Sequence, residues 1–170
     1  MKTILILLMA VSCMPYSLFA QENIVPTNYS RQFDFWIGEW DVYTGENLVG
    51  KNKVVFLQNK YLIQENWVSK NDNFSGTSYS FYNPKSNKWH QVWVDKNGNN
   101  LLLKGEFRDE KMVLTSGLDS NMGEPNSIHR ITWTKLSNEE VKQVWESTTD
   151  NGKNWTIQFE GIYKKSNHIN

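Results

Sequence analysis

Short strand-like runs follow one another from residue 40 to residue 164, each closed by turn-forming residues. That rhythm constrains this chain more than any single motif. The runs are Trp40 to Tyr43, Lys53 to Gln58, Tyr61 to Ser69, Ser75 to Tyr82, Lys88 to Asp95, Leu101 to Phe107, Lys111 to Ser116, Ser127 to Thr134, Glu140 to Thr148 and Trp155 to Lys164. Between them stand Asn59-Lys60, Asn83-Pro84-Lys85-Ser86-Asn87, Lys96-Asn97-Gly98, Asp109-Glu110, Ser137-Asn138 and Asp150-Asn151-Gly152. These residue types tolerate left-handed backbone or bond their own amides, so each closes a hairpin. Leu118 to Asn126, with Gly123 and Pro125, is the longest gap and the candidate for a loop over a barrel mouth. Only Ser30 to Ile37 reads as a helical turn, capped by Ser30 and ended by Gly38. Consecutive antiparallel strands leave a meander barrel or a two-sheet sandwich, and the short connections favour the barrel. The expected fold is therefore all-β: an up-and-down antiparallel barrel of about 8–10 strands, with room for one small ligand.

The first residues read as an export signal rather than as part of the fold. Lys2 gives a positive start, Ile4 to Val11 is an apolar run too short to span a bilayer, and Ala20 offers a cleavage site before Gln21-Glu22-Asn23. Leu18 stands where a small residue is preferred. Cys13, preceded by Ala10-Val11-Ser12, offers a second reading as a lipid anchor, but its apolar core would be very short. The expected organisation is a signal peptide over 1–20, a flexible leader over 21–28, one barrel domain over 29–165 and a polar tail over 166–170, in a periplasmic or secreted protein. Cys13 is the only cysteine, so an exported mature chain would be stabilised by packing without disulfides. Basic and acidic residues number 18 each. That balance gives no footprint for nucleic acid and no polybasic membrane patch. The compositional signal is aromatic: eight Trp, seven Tyr and eight Phe, residues that favour strands and also wall ligand pockets and sugar-stacking surfaces.

The run Phe33-Asp34-Phe35-Trp36-Ile37-Gly38-Glu39-Trp40 ends a short aromatic turn at a glycine and starts a strand with tryptophan. It resembles the Gly-x-Trp start of lipocalins and related calycin barrels. More closely, it is similar to a bacterial calycin-like family of unknown function that opens with Phe-Asp-Phe-x-Ile-Gly-Glu-Trp. The resemblance continues through Glu65-Asn66-Trp67, Trp89 to Asp95 with Gly98, Arg130 to Trp133, Gln143 to Ser147 and Gly161-Ile162-Tyr163. It implies a lipocalin-like barrel and no known reaction, and it supplies no catalytic residue. In lipocalins the tryptophan of this motif packs against an arginine near the barrel end. The resemblance thus implies that Gly38 and Trp40 are structural, with Arg130 as the candidate partner. A haem-binding branch of such barrels uses an axial histidine, and no histidine here stands in a matching context, so no cofactor is expected.

Strand alternation places Tyr61, Ile63, Glu65 and Trp67 on one face, and Trp89, Gln91, Trp93 and Asp95 on one face of another strand. Aromatic rings mixed with amides and carboxylates suit a pocket with apolar walls and a few fixed polar groups. They equally suit a buried hydrogen-bond network that sets register. The candidate ligand-binding residues are Glu65, Tyr79, Gln91, Trp93 and Arg130, with Tyr79 and Trp93 as stacking surfaces and Glu65, Gln91 and Arg130 orienting polar groups. Glu65 and Glu146 could pair for glycoside hydrolysis only at a defined separation, and a Glu146–Arg130 salt bridge is the simpler reading. His90, His129 and His168 lack metal-ligand spacing. No serine sits in a nucleophile elbow. Asp150, Gly152 and Trp155 form a single Asp-box-like hairpin, read as structural. No catalytic or metal-binding residue is assigned. The leading expectation is a non-enzymatic barrel for a small, partly apolar or aromatic ligand. A carbohydrate-associated protein with outward-facing tryptophans, and a structural barrel with a filled interior, are the alternatives.

Overall fold

The computed structural model describes residues 28–166. The leader with its cut after Ala20, the alternative at Cys13 and most of the polar tail lie outside the described residues. Ten strands alternate in direction: β1 (Gly38–Thr44), β2 (Asn47–Leu57), β3 (Leu62–Ser69), β4 (Ser75–Asn83), β5 (Lys88–Asp95), β6 (Asn100–Arg108), β7 (Lys111–Ser116), β8 (Ile128–Lys135), β9 (Glu140–Thr148) and β10 (Thr156–Lys165). Each pairs antiparallel with its sequence neighbours, and β1 pairs with β10, closing the barrel. The expected up-and-down barrel is therefore the observed one. Closure leaves no strand edge unpaired. Among the described residues no helix is long and apolar enough to cross a membrane.

Two single-turn 3-10 segments, Asn28–Arg31 and Asp34–Trp36, precede β1. They carry Phe33 and Trp36 into one end of the barrel, where both are fully buried. Phe33 stacks on Trp36 at 4.9 Å and meets Trp133 and Trp89 edge-on at 5.1 and 5.7 Å. Burying Phe33 alone is worth about 1.5–3 kcal/mol. This aromatic plug closes the end where the chain enters.

The Gly38-x-Trp40 step ties plug, first strand and last strand together. The Trp40 indole N–H donates to the Trp36 carbonyl at 2.9 Å. The Lys165 ammonium lies over the Trp40 ring at 4.5 Å and donates to the Ile37 carbonyl at 2.8 Å. Gly38 has a φ of 151°, and a Cβ there would sit 2.3 Å from the Lys165 Nζ. The glycine thus makes room for the cation on the indole. Lys165, not Arg130, is the partner of Trp40: β1 and β10 pair Trp40 with Lys165, whereas Arg130 projects from the outside of β8.

Bulges adjust two strands. Between Ile157 and Phe159 the β9–β10 register shifts by one residue, so Phe159 turns inward while Ile157 is exposed. A second shift falls between Val42 and Tyr43. β2 begins at Asn47, six residues before the expected run, because the Gly45-Glu46 turn folds Asn47 to Lys51 back on β1.

Candidate functional site

Strand alternation sends one side chain in two toward the barrel axis, and these enclose a cavity of about 460 Å³. Its apolar walls include Trp67, Trp93, Leu101, Ile131, Trp145 and Phe159, and Trp133 separates it from the plug. Asn71, Asp72 and Phe74 of the β3–β4 turn and Met122 of the β7–β8 loop stand at the opposite end. The site is thus a cup: floored by the plug and lined by indoles, with its mouth among the hairpin loops.

Two walls depend on glycine. A Cβ at Gly76 would lie 2.2 Å from the Trp93 ring, and one at Gly50 would lie 2.5 Å from the Trp67 ring. The flat indoles lie across neighbouring strands only because those positions carry no side chain.

The polar part of the wall is a buried network. Glu65 Oε1 accepts from Asn52 Nδ2 at 2.8 Å and its Oε2 accepts from Ser78 Oγ at 2.7 Å. Gln91 Nε2 donates to Ser78 Oγ and Ser80 Oγ, both at 3.1 Å. Those two bonds use both N–H groups of Gln91 and leave its carbonyl oxygen as the remaining acceptor. Across the barrel, the Tyr163 hydroxyl donates to Gln143 Oε1. Burial pushes the Glu65 carboxyl up to about 7, against the smaller downward pull of Ser78 and Asn52. Tyr163, also buried, is held well above its ordinary range by desolvation and then by the neighbouring Glu65.

His129, on the same face of β8 as Ile131 and Trp133, braces the mouth. Trp145 Nε1 donates to its Nδ1 at 3.0 Å, so its proton sits on Nε2, which donates to the Met122 carbonyl at 2.8 Å. Burial lowers its pKa and holds the ring neutral. The Leu118 to Asn126 loop is further tied to β6 through Ser120 Oγ donating to the Asn100 carbonyl at 2.7 Å and Asn121 Oδ1 accepting from the Asn100 amide at 2.5 Å. It lies at the mouth, as its length and composition led us to expect, and contributes Met122 to the cavity.

Of the five candidate ligand residues, Glu65, Gln91 and Trp93 line the cavity. Tyr79 and Arg130 do not. Tyr79 is 41 % exposed between inward-facing Ser78 and Ser80, and its hydroxyl accepts from Gln64 Nε2 at 2.9 Å. The small serines face in because Glu65 and Gln91 fill that space. Arg130 points outward, pairs with Glu146 at 2.9 Å and stacks on Trp155 at 3.9 Å. Glu146 therefore faces away from Glu65, and the two carboxylates share no site. Tyr61 lies in the turn before β3 and is exposed rather than sharing the inward face. His90 faces out, stacked on Phe81.

The Asp150 hairpin is built as expected. Asp150 Oδ1 accepts from the Asn154 amide at 2.9 Å and from Thr148 Oγ1 at 2.7 Å, and Gly152 has a φ of 85°. The Trp155 N–H donates to the Gly152 carbonyl at 3.1 Å. Those bonds, the Asn154 amide first, hold the Asp150 carboxyl down at about 2.

Alternation could have pointed to Gln143 and Trp145 on β9 and to Ile131 and Trp133 on β8. The inward phase of these strands becomes clear only when Trp133 meets the plug. Among the described residues no group of three or more His, Cys, Asp or Glu side chains is placed to hold a metal ion. Compared with known proteins, the chain matches no family model and no curated protein sequence.

Proposed function

We propose that this chain is an exported barrel of the calycin-like kind its N-terminal motif resembles, and that it binds one small, partly aromatic molecule in its interior without transforming it. The observation that carries this reading is the cavity of about 460 Å³, walled by aromatic rings and served by a few fixed polar groups. That combination is the general character of small-molecule sites. Of the eight tryptophans, only Trp155 faces outward, and Arg130 covers its ring. A sugar-stacking protein would instead present its indoles in an exposed row. A purely structural barrel would fill its interior, because unfilled space in a core lowers stability.

The test is titration with N-phenylnaphthylamine, a non-basic apolar dye whose emission rises on leaving water. The expected result is saturable binding at one site, lost when Val49 on the cavity wall is enlarged (Val49→Trp). A folded protein that leaves the dye dark at all concentrations would falsify the reading.

A further inference from the structure

Resting on that reading, we infer that the ligand is a protonated amine on an aromatic body, with its ammonium against Glu65. The first ground is charge. The described residues lining the cavity include two acidic groups, Glu65 in the wall and Asp72 at the mouth, and no Lys, Arg or His. Glu65 is 5 % exposed. Among the described residues no lysine or arginine is paired with it, although a buried carboxylate without a cation is among the costliest arrangements in a fold.

The second ground is geometry. A carboxylate offers about four acceptor directions, and Asn52 and Ser78 use one on each oxygen. Glu65, Ser78 and Trp93 stand in one cross-strand row, with Ser78 small enough to leave the acid beside the indole. Trp67 follows two residues later on the same face of β3, and Trp145 stands on the far wall. Carboxylate and ring faces together attract an ammonium by ion pairing and by the negative π-surface. They offer an anion nothing but repulsion.

The groups facing Glu65 are Asn52 from β2, Ser78 from β4, Gln91 from β5, Gln143 from β9 and Tyr163 from β10. Of these only Tyr163 titrates, and burial keeps its phenol protonated. An ammonium arriving below neutrality therefore has one proton to displace, that of Glu65.

Three probes of one shape decide the matter: phenethylamine, phenylethanol and phenylpropionate, measured by calorimetry and by displacement of N-phenylnaphthylamine from the full-length protein. At about pH 8, where Glu65 is ionised, the amine should bind at least about ten-fold tighter than the alcohol, the scale of one charge-assisted hydrogen bond, and the acid weakest. In Glu65→Gln the amine and alcohol should bind equally, with dye affinity retained. Should that variant fail to fold, the wild type still decides. Near pH 6, calorimetry in buffers of different ionisation enthalpy should show amine binding releasing a proton and alcohol binding releasing none. Alcohol or acid binding as well as the amine overturns the amine assignment while dye binding keeps the barrel reading. A preference that survives in Glu65→Gln overturns the role of Glu65. Rejection of both amine and dye overturns both proposals.

Discussion

Replacing Glu65 by glutamine should stabilise the empty barrel above neutral pH and do nothing of the kind in acid. In the folded protein the carboxyl titrates near 7, against 4.5 for an ordinary glutamate. Between those values the native state holds a proton that the unfolded chain has released, so the contribution of Glu65 is fully present below about pH 4.5 and is lost as pH rises through about 7. The gap between the two values corresponds to about 3 kcal/mol, the cost of a charged carboxylate in the wall. Glutamine removes that cost and keeps the shape. Its carbonyl can accept from Ser78, and its N–H can donate to Asn52 once that amide rotates to present Oδ1, which has no partner in the wild type. Imperfect rebuilding of these bonds would take back about 1 kcal/mol. The net gain should be about 1–3 kcal/mol near pH 8 and zero or slightly negative near pH 4.5, read as the shift in urea midpoint between variant and wild type. Taking the difference cancels the titrations common to both proteins. A variant-to-wild-type gap that stays constant across that range would refute the account of Glu65 as a buried, cation-free acid.

His129 should act with the opposite sign. Its depressed pKa means that its contribution is fully present above about pH 6.5 and is lost as pH falls through the lowered folded value. Wild type should lose stability relative to His129→Gln as pH falls below about 6.5, and a pH-independent difference in melting temperature would count against this. Lys165→Met should cost about 1–2 kcal/mol in chemical unfolding by removing the cation over Trp40 and the bond to the Ile37 carbonyl. Gly76→Val should push Trp93 into the cavity, lowering stability by about 1–3 kcal/mol and weakening dye binding. Arg130→Ala, outside the wall, should leave dye affinity unchanged while costing no more than about 1–2 kcal/mol for the lost pairing with Glu146 and Trp155.

Strand existence was legible because the alternation is physical. β5, β7 and β9 begin and end where the pattern placed them. β2 was foreshortened because Asn47 to Lys51 lacks apolar alternation and is held as a strand by its pairing with β1 and, at Gly50 and Lys51, with β3. Phase was harder than period. On β4 the aromatic residues Tyr79 and Phe81 face out and the serines face in, an inversion that only the volume of Glu65 and Gln91 explains. On β8 the same ambiguity hid Arg130, because a guanidinium is at home in a pocket or on a surface tryptophan. On β10 no alternation rule anticipates that an inserted residue turns Phe159 inward. Glu65, Gln91 and Trp93 were found because their strands carry several polar and aromatic residues in one phase. Asn52 was missed with the start of β2.

The seam between β1 and β10 has a consequence for how this protein comes into being. The cylinder cannot shut until its final ten residues have left the ribosome, and a chain stopped short of them carries two raw, sticky borders. The same seam brings the two ends of the strand array side by side. A tether from Lys165 back to Asn28, long enough to leave the plug seated, with a new opening cut at the Pro84–Lys85 turn, should therefore give a rearranged polypeptide that closes around the same hollow.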